Sequence, residues 1–160
     1  MSQFLFYLPL PPFLAQWYIH KNGGVVPVKI NRNSSENGVL RHFLSTPPED
    51  YVPSVPPAGQ LAVEIPSYPA KDPRTYNYVP PYGVNAIVEI LREDFDLQLH
   101  EFYVGVYLRG GRLDCLLEAW MLHHGIEFND ANFNSVKKRL DRMRNAIKCH
   151  RYRSKKKSKK

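Results

Sequence analysis

Near the C-terminus, amide and cationic side chains gather on a helical spacing, and their chemistry is that of nucleic-acid contact. Asn134, Lys138 and Arg142 recur every fourth residue, which places them on one line of a helix. An asparagine amide can pair bidentately with adenine, an arginine guanidinium can do so with guanine, and lysines neutralise phosphates. These three are the candidates for base or near-base contacts. Lys137 and Arg144 lie toward the flanks as phosphate contacts, with Arg139 beside them. Lys148, Arg151, Arg153, Lys155, Lys156 and Lys157 carry the positive charge onward. Asn129, Asn132 and Ser135 stand at the start of the segment, where a helix offers free amides and the positive end of its dipole. The terminal run Lys155 to Lys160 has the composition of a nuclear-localisation cluster or of a polyanion-binding tail, both of which need only flexible positive charge.

The element that must position these groups is a final helix beginning near Asn129, whose side chain can accept from first-turn amides. Phe133, Val136, Leu140, Met143 and Ile147 recur at three- and four-residue steps and form the stripe that docks it. Asn132, Asn134, Ser135, Lys137, Lys138, Arg139, Asp141, Arg142 and Arg144 remain outside that stripe. A preceding helix, Leu113 to His124, carries Leu113, Leu116, Leu117, Trp120 and Met121, and a short link through Gly125 joins the two. The pair over about 113–149 resembles helix-turn-helix proteins in general. That resemblance implies a second helix able to enter a major groove. It covers under a third of the chain and rests on pattern, not on diagnostic residues.

Charge supports this placement. The net charge of +7 over 160 residues conceals a division. Residues 133–160 hold thirteen lysines and arginines and one acid, Asp141, whereas the remainder is net acidic. An acidic body with a basic end signals a polyanionic partner.

Catalysis finds little support. There is no H-E-x-x-H, no G-x-S-x-G, no phosphate-cradling glycine loop and no Cys/His set at metal spacing. His123 and His124 are adjacent and cannot share a helix face; one is expected at the core edge and the other in solvent. Glu89, Glu93, Asp94 and Asp96 read as an acidic helix surface, and Glu101, Asp114 and Glu118 as solvated or paired with Arg109 and Arg112. Cys115 is expected to be a buried thiol, and Cys149 forms no C-x-x-C pair with it. Arg109-Gly110-Gly111-Arg112 reads as a helix stop. No cofactor, no metal and no enzymatic activity are expected.

The first half is of a different kind. Gln3–Leu8 reads as a buried strand, and Pro12 opens a helix that ends at Asn22-Gly23-Gly24. Val25–Ile30 reads as a second strand. Asn33, Ser34 or Ser35 can cap a helix over Glu36–Leu44 with Val39, Leu40 and Phe43 inward. Ten of the fourteen prolines lie between Thr46 and Tyr82, so that stretch is extended, with strands at Leu61–Ile65 and Tyr76–Val79. Tyrosines 51, 68, 76, 78 and 82 should pack it onto the body. From Val84 the pattern turns helical: Ile87, Ile90 and Leu91 form one face, and Leu97, Leu99, Phe102, Tyr103 and Val106 a second helix ending at Gly110-Gly111.

The sequence therefore predicts an α+β fold. Residues 1–82 form a small mixed region of short strands and helices whose proline-rich connection spans about 46–82. Residues 83–150 are helical, and 151–160 form a disordered basic tail. The function it points to is binding of duplex DNA through the last helix and the lysine-rich tail, in a transcriptional, replicative or mobile-element setting. The alternative is a non-enzymatic protein-interaction or assembly subunit that uses the aromatic, proline-rich half, with RNA binding third. No run of apolar residues suits a membrane span and the start is unlike a signal peptide, so an intracellular setting is expected: cytoplasm or nucleoid if bacterial, nucleus if eukaryotic.

Overall fold

A computed structural model describes residues 4–52 and 58–157, with side chains through Lys148 apart from Tyr107. The architecture is α+β: five α-helices and a three-stranded sheet among the described residues. The chain divides into two compact units, Met1–Asp94 and Phe95–Lys160.

In the first unit, β1 (Leu5–Leu8) pairs antiparallel with β3 (Leu61–Glu64), and β2 (Val28–Lys29) pairs parallel with the other edge of β3. Parallel neighbours need a crossover, and α2 (Ser35–Phe43) lies between β2 and β3 in the chain. Alternation along β3 buries Leu61 and Val63. Helix α1 (Pro12–Lys21) starts with proline near its first turn and buries Phe13, Leu14, Trp17 and Tyr18. It stops where expected. The Gly24 amide donates to Ile19 O at 2.9 Å, with Gly23 and Gly24 in the left-handed region. Ser34 caps α2 by accepting from the Asn37 amide. At the other end of α2, the Lys71 ammonium donates to the carbonyls of Arg41 (2.7 Å), His42 and Leu44. Those carbonyls have no partner within the helix, so a cation there satisfies them and complements the dipole.

Helix α3 (Pro81–Gly105) is one continuous helix, not the two expected, because nothing between Val84 and Tyr103 breaks it; Asp94 and Asp96 are tolerated within a helix. It ends at Gly105, earlier than Gly110, and a 3₁₀ turn follows over Tyr107–Arg109. Its start demands glycine for space. A Cβ on Gly83 would lie 2.8 Å from Phe43 Cβ.

The proline-rich stretch forms less sheet than expected. Tyr76–Val79 is not a strand; Tyr78 makes a single antiparallel bridge with Ser45. Val25–Ile30 shrinks to Val28–Lys29. Proline lacks the amide a ladder needs, and Pro27, Pro73 and Pro80 bound these segments. Tyr68 is buried and Tyr76 and Tyr78 are half-buried, but Tyr51 and Tyr82 are exposed. Gln3 of the first expected strand and residues 158–160 lie outside the described residues.

In the second unit, α4 (Leu113–His123) ends in a left-handed glycine motif. The Gly125 amide donates to Leu122 O, and the Ile126 amide to Met121 O at 2.9 Å. Six residues, 124–129, separate α4 from α5 (Asp130–Lys157). Asn129 caps it, its Oδ1 accepting from the Asn132 amide at 2.9 Å. Phe128 and Phe133 meet edge-on at 5.4 Å, a hydrophobic staple across the cap. The core comprises Phe95, Leu99, Phe102, Leu117, Trp120, Met121, Ile126, Val136 and Leu140. Trp120 lies 5.7 Å from both Phe95 and Phe102.

Several expectations change here. Leu97 and Val106 are exposed, because the inward face of α3 here runs through Phe95, Leu99 and Phe102. Cys115 is a free, exposed thiol, since it lies two residues before buried Leu117 and so on the far side of α4. Cys149 lies outside the described side chains. The backbone from Arg151 to Lys157 is helical, not disordered: the segment holds no glycine or proline, and lysine and arginine are good helix formers. No helix among the described residues is long and apolar enough to cross a membrane.

Candidate nucleic-acid interface

Helix α5 is 28 residues long, about 42 Å at 1.5 Å per residue. Val136 and Leu140 are fully buried, with Phe133, Met143 and Ile147 half-buried beside them. Lys138 and Arg142 flank Leu140 at two residues on either side, which turns both about 160° from it. Asn134, Lys138 and Arg142 are all exposed, as is Lys148. None of these three cations has an acidic partner among the described residues.

The flanking cations are held differently. Arg139 makes a bidentate pair with Asp96, Nε to Oδ1 and an Nη to Oδ2, each at 2.7 Å. Its guanidinium also stands 6.0 Å from the centroid of Phe95. Asp114, expected to be solvated or paired with Arg109 or Arg112, pairs instead with Lys137 at 2.8 Å. The hydrogen bond to Asp114 holds the Lys137 ammonium above its usual range; desolvation opposes this, and the Asp114 and Asp141 charges add to it. Arg144 pairs with Asp141 one turn back at 3.2 Å. Among the described cations of α5, those nearest the buried stripe are thus neutralised internally, whereas the line opposite it keeps its charge.

Asn132 is not part of the outer surface. It is buried, and its Nδ2 donates to Glu127 O at 2.9 Å, so its role is to close the start of α5. Ser135 Oγ donates to Ala131 O at 2.7 Å. Asn145, exposed three residues beyond Arg142, extends the outer line; its spacing could have singled it out. The side chains of Arg151, Arg153, Lys155, Lys156 and Lys157 lie outside those described, on a backbone that continues the helix. His123 is exposed, and half-buried His124 places Nδ1 2.8 Å from Trp120 O. No family model, curated protein or solved structure matches this chain.

Proposed function

We propose that this protein binds duplex DNA, with α4 and α5 acting as a helix-turn-helix-like pair and the outer line of α5 entering the major groove. The observation that carries this reading is the division of the α5 cations. Lys138 and Arg142 stand exposed and unneutralised opposite the buried Val136–Leu140 stripe, while Lys137, Arg139 and Arg144 are paired within the chain. Asn134 and Arg142 supply the bidentate chemistry that distinguishes bases. Lys138, Lys148 and the cations beyond contact phosphates and set the salt dependence. Lys137, Arg139 and Arg144 act chiefly by holding the helix. The outer line carries no aromatic side chain among the described residues, and stacking platforms are what single-strand recognition needs.

The test is a binding titration of Asn134→Ala, Arg142→Ala and Lys138→Gln against a selected duplex, a scrambled duplex and single strands, at several salt concentrations. Asn134→Ala and Arg142→Ala should each cost about 1–3 kcal/mol on the selected duplex and much less on the scrambled one. Lys138→Gln should weaken both duplexes alike and lower the log–log salt slope by about one. Equal effects of all three on both duplexes would reduce the helix to a polycation, and tighter binding to single-stranded RNA would replace the duplex reading.

A further inference from the structure

The N-terminal unit holds a cleft of its own. Beyond the ends of the parallel pair β2–β3 run the segments that carry Arg32 and Ser67. Between those segments the cleft is open, about 320 Å³ in volume, and lined by Lys29, Ile30, Arg32, Glu64, Pro66 and Ser67. The cleft lies beyond the carboxyl ends of the parallel pair, at Lys29 and Glu64. The lining brings two cations, one carboxylate and one hydroxyl onto a floor that includes buried Ile30.

The charged groups are placed unequally. Glu64 Oε2 is covered and has no hydrogen-bond donor among the described residues; Lys29 Nζ, at 3.8 Å, is beyond hydrogen-bond range. The Glu64 side chain is nevertheless 28% exposed, so part of it reaches the cleft while Oε2 stays covered. Lys29 and Glu64 are cross-strand neighbours, so their charges offset each other, and Arg32 gives the cleft its net positive charge.

The two walls are tied together. Asn37 Nδ2 donates to Arg32 O at 2.8 Å, and the Tyr68 hydroxyl donates to Asn37 Oδ1 at 2.6 Å. Asn37 and Tyr68 are both buried, and Tyr68 immediately follows Ser67. A buried polar relay therefore fixes the Arg32 loop to the Ser67 loop. A cleft set in advance binds more tightly, because its loops need no ordering when the ligand arrives.

We propose that this cleft binds a small phosphorylated polyol of the sugar-phosphate or mononucleotide class. Arg32 and Lys29 take the phosphate, and the Glu64 carboxylate accepts from ligand hydroxyls. A guanidinium suits a phosphate because its fork can engage two oxygens, and a carboxylate is a strong acceptor for paired hydroxyls. Ser67 adds a hydroxyl on the opposite wall.

The experiment is a titration of the full chain followed by amide NMR, with ribose 5-phosphate, inorganic phosphate and ribose as probes. Ribose 5-phosphate should shift the amides of Lys29–Arg32 and Glu64–Ser67 saturably, inorganic phosphate should bind there at least about fivefold more weakly, and ribose should not bind. Arg32→Gln should weaken ribose 5-phosphate by about tenfold or more, while Glu64→Gln should bring it down to the level of inorganic phosphate. Tyr68→Phe, which touches no ligand, should weaken binding by about threefold or more through the loosened walls, with the shifts still at the cleft. Shifts confined to α5, equal affinity for phosphate and ribose 5-phosphate, or an Arg32→Gln variant that binds like the wild type would each overturn the proposal. None of these results depends on DNA binding by α5.

Discussion

Removing the pair between Arg139 and Asp96 tests how α5 is held and which of its cations are left for a partner. The variants are Asp96→Asn, Arg139→Gln and the double substitution. Two charge-assisted bonds of 2.7 Å in a bidentate arrangement mark the strong end of such pairs. The Arg139 and Asp96 side chains are 25% and 41% exposed, however, so water screens much of the attraction. Exposed pairs contribute about 0.2–1 kcal/mol, and this geometry puts the coupling near the top of that range, about 1 kcal/mol. Arg139→Gln should cost roughly 0.5 kcal/mol more, since it also removes the cation from the face of Phe95. Amide hydrogen exchange at Val136–Leu140 reads the local stability of α5 directly, and a double-mutant cycle built from it isolates the pair. The coupling should shrink at high salt. A coupling below about 0.3 kcal/mol at low salt would show that the pair does not hold the helix. If instead Arg139→Gln lowered the DNA salt slope by about one, Arg139 would be a phosphate contact and the division of cations would be wrong.

Leu140→Ala should destabilise the C-terminal unit by about 2–5 kcal/mol in urea unfolding, since Leu140 is fully buried. Lys71→Met should cost about 1–3 kcal/mol, because it leaves the α2 carbonyls of Arg41, His42 and Leu44 without their donor; hydrogen exchange in the last turn of α2 reads the loss. Burial first, and the Glu36 charge second, hold the Tyr18 phenol protonated well above its usual range. The unfolded chain therefore gives up that proton first, so stability is fully present below about pH 10 and falls as pH rises beyond it; Tyr18→Phe should flatten that fall in alkaline unfolding curves. Truncation after Tyr152 removes six cations and should weaken all duplexes by similar factors, lowering the salt slope by up to about five; an altered sequence preference would show that the segment does more than attract.

Local order was legible in the sequence because its signals act over a few residues. Asn22-Gly23-Gly24 and Gly125 end helices by left-handed geometry, Asn129 caps α5 through its own side chain, and the Phe133–Val136–Leu140 stripe states which face turns inward. The concentration of cations after Phe133 was equally plain, as was the α+β character. What the sequence left open were relations between distant residues. That Arg139 meets Asp96, 43 positions away, and that Lys137 meets Asp114 depends on how α5 packs, and that packing decides which cations remain unneutralised. Asn132 reads as an exposed polar group until the turn before α5 folds over it. The cleft beside Arg32 has no local signature at all. Lys29, Arg32, Glu64 and Ser67 come together only when β2 and β3 align in parallel, a pairing between segments more than thirty residues apart, and no short-range propensity specifies such a pairing.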